Sequence, residues 1–192
     1  MIKAIELIEV FIFYLAYFSK LINQKRRGIK TNQLGLGKKS FKTIITERSL
    51  RLASFVNVVV MLLSVVLNTS LFENLIVRYV GLILFAFGTC LFIIAMITMK
   101  DSWRAGIPAD EKTAMVTIGI YKFSRNPAFL GFDLTYIGAC LAFSNIILFI
   151  IAVITITLMH LQILEEEKFL ESTFSKEYIT YKSKVGRYFK LI

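Results

Sequence analysis

Residues 77–99, VRYVGLILFAFGTCLFIIAMITM, carry one charged side chain, Arg78, near their start and then run apolar to Met99. Residues 52–71, LASFVNVVVMLLSVVLNTSL, carry none. About 20 such residues cover the roughly 30 Å hydrocarbon core of a bilayer as a helix, and a helix satisfies its own backbone hydrogen bonds where water is absent. Both stretches read as membrane spans, and they decide the fold class: an all-α, polytopic helical membrane protein. Composition agrees, since 56% of the 192 residues are hydrophobic, 17 are Phe and only two are Pro.

Outward from these two spans, Ile5–Ile22 is apolar apart from Glu6, Glu9 and Lys20 and forms a first span. Acidic residues near its start, Lys after its apolar core and no small-residue cleavage pattern argue for a retained helix and against a cleaved signal peptide. From Phe129 to Leu164 the chain stays apolar for longer than one span needs, with a polar break at Ser144-Asn145. That pattern predicts a hairpin of two spans, 129–143 and 145–164, the former slightly short. The total is about five transmembrane helices. Beyond Glu165 the chain is charged, and Tyr178, Tyr181 and Val185 share one helical face, so cytosolic C-terminal helices are expected to pack back on the bundle. The whole of 1–192 reads as one integral membrane domain, with N-terminal transmembrane helices over 1–99 and the functional half over 100–192.

Charge sets the orientation. Between Lys20 and Arg51 there are ten Lys or Arg against one acid, Glu47, so the positive-inside rule puts this segment in the cytoplasm. The 68–78 connection then faces outside, and 100–125 and the C-terminal tail return inside with every polar motif. Anionic membrane lipids and topology account for the net charge of +10, and nucleic acid is not expected as a partner. The run Gly35-Leu36-Gly37-Lys38-Lys39-Ser40 lacks the spacing and preceding strand of a phosphate loop. Cys90 and Cys140 lie in apolar segments and are too few for a disulfide framework, and no metal site is expected. The Lys- and Ile-rich composition fits a low-GC prokaryote and its cell membrane.

Chemistry concentrates in the last third. Asp101–Pro108 contains the only Trp, Trp103, either an interfacial anchor or one wall of a substrate entrance. In the following stretch, Val116–Gly131, glycines, a proline and hydrogen-bonding side chains punctuate an apolar sequence. Pro127 turns Asn126 out of helical geometry and starts the next helix, which leaves backbone N–H groups free for a ligand. Glu165-Glu166-Glu167 follows the fifth span, with Glu166 six residues beyond His160, the only histidine. The hairpin returns this cluster to the turn at Asn126. An acid there holds a cation or orients a proton, and uncompensated charge beside a bilayer is costly enough to mark function.

Three groups of residues from about Asp101 to Phe189 carry a family resemblance. They are Gly119-x-Tyr121; Arg125-Asn126-Pro127-x-Phe129-x-Gly131; and Glu166-Glu167-x-x-Leu170-x-x-x-Phe174-x-x-x-Tyr178-x-x-Tyr181-x-x-x-Val185-x-Arg187. This half of the chain resembles the isoprenylcysteine carboxyl methyltransferases, a family of integral membrane enzymes related to phospholipid methyltransferases. The family usually has Arg-His-Pro-x-Tyr-x-Gly at the turn. The resemblance implies S-adenosyl-L-methionine bound without a Rossmann domain. Carried over by position, Thr113, Met115, Val116, Tyr121, Arg125, Asn126, Pro127, Ala128, Phe129, Gly131 and Glu166 line the cofactor site. Glu166, Glu167, His160 and Arg187 are the expected catalytic residues, and Gln162 and Trp103 the expected substrate contacts.

Two departures bear on the acceptor. Asn126 replaces the usual His and keeps a donor, whereas Gln162 stands where the family commonly has an Arg that pairs with a substrate carboxylate. A neutral amide lacks that charge-assisted contact. The leading expectation is O-methylation of an isoprenylcysteine-type carboxylate on a lipophilic or lipidated acceptor. The alternatives are N-methylation of a phospholipid amine and, from another class, a non-catalytic membrane scaffold or transporter subunit. Oligomeric state is not readable from the residues.

Overall fold

The computed structural model describes residues 1–72, 74–108 and 114–189. Five helices carry the chain: α1 (Ile2–Arg26), α2 (Phe41–Leu67), α3 (Leu75–Met99), α4 (Pro127–Ala142) and α5 (Ile146–Lys184). By length and composition α2, α3 and α5 are apolar enough to cross a membrane. α1 has the length, but Glu6, Glu9 and Lys20 interrupt its apolar run, and α4 has 16 residues. Both pack against α3, and α2 packs against α5, completing a polytopic helical bundle.

The α3–α4 contact is the closest in the molecule, and glycines make it so. A Cβ on Gly88 would lie 2.6 Å from the Gly131 carbonyl, and one on Gly81 would lie 2.6 Å from the Gly138 carbonyl. Small residues spaced along two facing helices let the backbones approach where lipid offers no hydrophobic drive for association. Gly131, expected at the cofactor site, takes part in this seam, and its own Cβ position is filled by Gly88 and Phe92. Beside the seam an aromatic core links α1, α3 and α4: Phe13 stacks on Phe92 at 4.8 Å, and Phe92 meets Phe132 at 4.8 Å.

Trp103 closes this core at its polar end. It is buried, edge-on to Tyr17 and Phe92. Its carbonyl accepts the Gln24 side-chain amide, and Ala105 bridges to residues 31–33 through two backbone hydrogen bonds. The segments 27–40 and 100–108 therefore lie together at one end of the bundle.

Two boundaries differ from the sequence expectation. α2 begins at Phe41, about three turns before the apolar run, because Ser40 caps it by accepting the Thr43 N–H. Arg48 and Arg51 thus ride on a helix that protrudes from the apolar layer. The fifth span does not stop at Leu164. α5 continues for 39 residues and bends at Ser175, where φ is 45° and ψ −118°. The hairpin at Ser144-Asn145 stands as expected: Asn145 caps α5 at Leu148 N–H and donates to Ser64 near the end of α2 and to Thr69 of the connection that follows.

Candidate functional site

The bend at Ser175 is what assembles the site, because it returns the C-terminal segment over the turn before α4. Tyr178 and Val185 are buried by this return, and the Tyr181 hydroxyl donates to the Tyr121 carbonyl at 2.6 Å. Arg125 N–H donates to the Gly186 carbonyl, and the Asn126 side chain donates to the Arg187 carbonyl at 3.1 Å. The expected helical face at 178, 181 and 185 is thereby observed, with Tyr181 half-buried. Pro127 occupies the first position of α4, as the Asn-Pro reading required.

Glu167 is the hub of this arrangement. It accepts both Arg187 Nε at 3.1 Å and Nη2 at 2.9 Å, and its Oε1 lies 2.9 Å from Arg125 Nη2. Burial pushes the Glu167 carboxyl up, but the Arg187 hydrogen bonds and the charges of Arg125, Arg187 and Lys182 outweigh it and hold the group below the usual carboxylate range. Arg125 is not exhausted by this pair. Its Nε and Nη1 are buried without a partner among the described residues. A buried guanidinium with idle donors is expensive unless something anionic meets it.

Glu166, next along the helix, faces a different set. Gln162 Nε2 donates to it at 3.0 Å and reaches Glu47 Oε1 at 3.4 Å. Burial, with the Glu47 charge behind it, pushes the Glu166 carboxyl up to about 7 against a Gln162 hydrogen bond and the Lys39 charge that pull it down. Glu47 is fully buried, paired with Lys39 at 2.7 Å, and accepts Gly35 and Ile107 N–H. Gln162 Oε1 is likewise buried without a partner among the described residues. Sequence reasoning passed over Lys39 and Glu47 as site-forming residues. The signal was present, since Glu47 is the single acid in a run of ten bases.

The other expected residues distribute around these two hubs. His160 sits beside the C-terminal tail with Nδ1 2.8 Å from the Tyr188 hydroxyl, one step removed from Glu167. Tyr121 is buried, and burial followed by the charges of Tyr181 and Glu166 raises its phenol well above the usual range. Met115 and Val116 are half-buried in the irregular approach to Gly119, and Thr113 lies outside the described residues. Ala128 and Phe129 pack into the apolar clusters beneath the turn.

The fold and the site define a polytopic helical bundle with buried ion pairs and unpartnered donors gathered around Glu166 and Glu167. The chain belongs to the phospholipid methyltransferase family, whose model matches residues 76–177, more than half of it. It is similar to protein-S-isoprenylcysteine O-methyltransferase of Saccharomyces cerevisiae, 34% identical over 109 residues, 55% of this chain and 46% of the yeast protein. The protein of the same name from Rattus norvegicus is 29% identical over 108 residues, 55% of this chain and 38% of the rat protein. The chain thus spans less than half the length of these curated relatives. The resemblance read from the turn and the Glu166-Glu167 motif is borne out at the level of family.

Proposed function

We propose that this chain is an S-adenosyl-L-methionine-dependent methyltransferase of a lipophilic, membrane-embedded acceptor, with the carboxylate of an isoprenylcysteine-type lipid as the leading acceptor. The observation that carries the proposal is the pair of idle polar groups beside Glu166 and Glu167. Arg125 Nε and Nη1 fit a carboxylate, and Gln162 Oε1 with Glu166 fits an ammonium or sulfonium cation, the two charge types of that cofactor. Tyr121, Asn126 and Phe129 at the turn complete the residues that would hold it, with Met115, Val116, Pro127 and Ala128 alongside.

When bound, S-adenosyl-L-methionine supplies an electrophilic methyl group on sulfur. The chain's own contribution is alignment and exclusion of water: Glu167 fixes Arg125 and Arg187, while Glu166 sets the local charge. Orientation of this kind lowers a displacement barrier by several kcal/mol. An acceptor reached laterally from the lipid and a cofactor reached from the polar side suit a site at the end of the bundle. On this reading that end is cytoplasmic.

One observation favours the amine alternative. Gln162 and not an arginine stands where an acceptor carboxylate would be paired, and Asp133 Oδ1 in α4 is buried without a partner among the described residues, near Tyr188. An unpaired carboxylate there suits an ammonium. Product analysis separates the readings, because a methyl ester is base-labile and an N-methyl group is not.

Calorimetric titration of detergent-purified protein with S-adenosylhomocysteine tests the core claim. Micromolar binding is expected, lost in Glu166→Gln and in Tyr121→Ala. Folded wild-type protein that binds nothing, even with lipid restored, would leave the scaffold reading ahead.

A further inference from the structure

A groove of about 490 Å³ opens between the C-terminal ends of α1 and α3, away from the Glu166–Glu167 cluster. Its polar rim carries Lys20, Arg27 and Lys100 against one acid, Asp101. Arg27 Nη1 lies 3.1 Å from both Asp101 carboxylate oxygens, so those two charges neutralise each other. The two lysines remain. Lys20 Nζ donates to the Lys100 carbonyl at 2.7 Å, which holds its charge in the groove, and the Lys100 ammonium has no ion pair among the described residues. Lys100 also sits at φ 49°, where glycine is the comfortable residue.

The lower wall is apolar. Ile93 and Ile97 of α3 line it, and Ile97 is 63% exposed on the face that meets hydrocarbon. The rim stands where the apolar run of α3 ends, at Met99, which is headgroup level for a spanning helix. A free phosphate would use the lysines and leave the wall idle. We infer that this groove binds one anionic phospholipid, its phosphate between Lys20 and Lys100 and an acyl chain along the Ile93–Ile97 wall. The bound lipid clamps α1, the helix with the weaker apolar drive, onto α3. This site is independent of the methyl-transfer reading.

The test uses the full chain in detergent, titrated with dioleoylphosphatidylglycerol or dioleoylphosphatidylcholine. Native mass spectrometry counts bound copies, and thermal unfolding reads the clamp. One tight phosphatidylglycerol adduct is expected, with a rise in Tm that phosphatidylcholine does not give. Lys20→Gln/Lys100→Gln should weaken it about thirtyfold, the scale set by two lysines at an anionic surface. Lys38→Gln/Lys176→Gln removes the same charge from exposed sites elsewhere and should leave it intact. Lys100→Gln alone keeps the Lys20 hydrogen bond to the backbone, so it preserves the local fold and should still weaken binding severalfold. Equal losses in the two double variants would mean diffuse charge and overturn the site, as would no lipid preference in wild-type protein. Displacement by millimolar inorganic phosphate would overturn the choice of a lipid.

Discussion

Two adjacent glutamates do opposite electrostatic work, and this yields pH predictions of opposite sign. Glu166 has its carboxyl raised from 4.5 to about 7 by burial. A raised acid binds its proton more tightly in the folded state, so its effect on stability declines as pH rises from 4.5 to about 7 and is flat above. Ionisation in the folded state, centred on about 7, creates the negative charge that a sulfonium needs. S-adenosylmethionine should therefore gain affinity relative to S-adenosylhomocysteine, which lacks the sulfonium charge, between roughly pH 6 and 8. Calorimetry with both ligands at each pH checks this, and a ratio indifferent to pH in wild-type protein would sink it. Glu167 is held low, so its stabilisation is present above its unfolded value of 4.5 and is lost as pH falls through the lower folded value. Glu167→Gln leaves Arg125 buried without its counter-charge, and a loss of about 3–5 kcal/mol is expected from breaking a buried pair. Unfolding in mixed micelles measures it.

At the scale of elements, the α3–α4 seam and the α5 bend are the parts most exposed to single substitutions. Gly131→Leu would force a side chain into the Gly88 carbonyl and Phe92, contacts already at 2.8 Å from a bare Cβ. Overpacking of that kind costs about 1–3 kcal/mol, and loss of folded protein in a thermal melt is the expected readout. Ser175→Gly should act the other way. A non-glycine residue at φ 45° carries strain of about 1–3 kcal/mol, so the glycine variant should melt higher while keeping the Tyr181–Tyr121 contact. The apolar middles of α2 and α3 and the Ser144-Asn145 hairpin were legible in the residues, because lipid tolerates neither charge nor unpaired backbone. The start of α2 and the continuity of α5 were not. Hydropathy reports where lipid ends, not where a helix ends, and Ser40 and Ser175 act outside the apolar layer. Of the site, the turn at Asn126 and Glu166-Glu167 were legible as motifs, whereas Glu47 with Lys39 depends on a tertiary pairing that no local pattern announces.

At the scale of the molecule, orientation and chemistry constrain each other. The segments 27–40, 100–108, 119–126 and 185–189 gather at one end, and the bases of 27–40 gather with them. The other end holds the segment 68–72, tied to Ser144 and Asn145. Positively charged connections resist translocation, and on the proposed reading the first end is the cytoplasmic one. S-adenosylmethionine is made and kept there, so the proposed site needs that orientation to be supplied. Cysteines introduced at Lys38, Lys176 and Phe72, with Cys90 and Cys140 replaced by alanine, test it in intact cells with a membrane-impermeant maleimide. Phe72→Cys should label at once, and Lys38→Cys and Lys176→Cys only after lysis. The reverse pattern would separate the Glu166–Glu167 cluster from its methyl donor and remove the physical basis of the proposed activity, whatever the isolated protein binds in detergent.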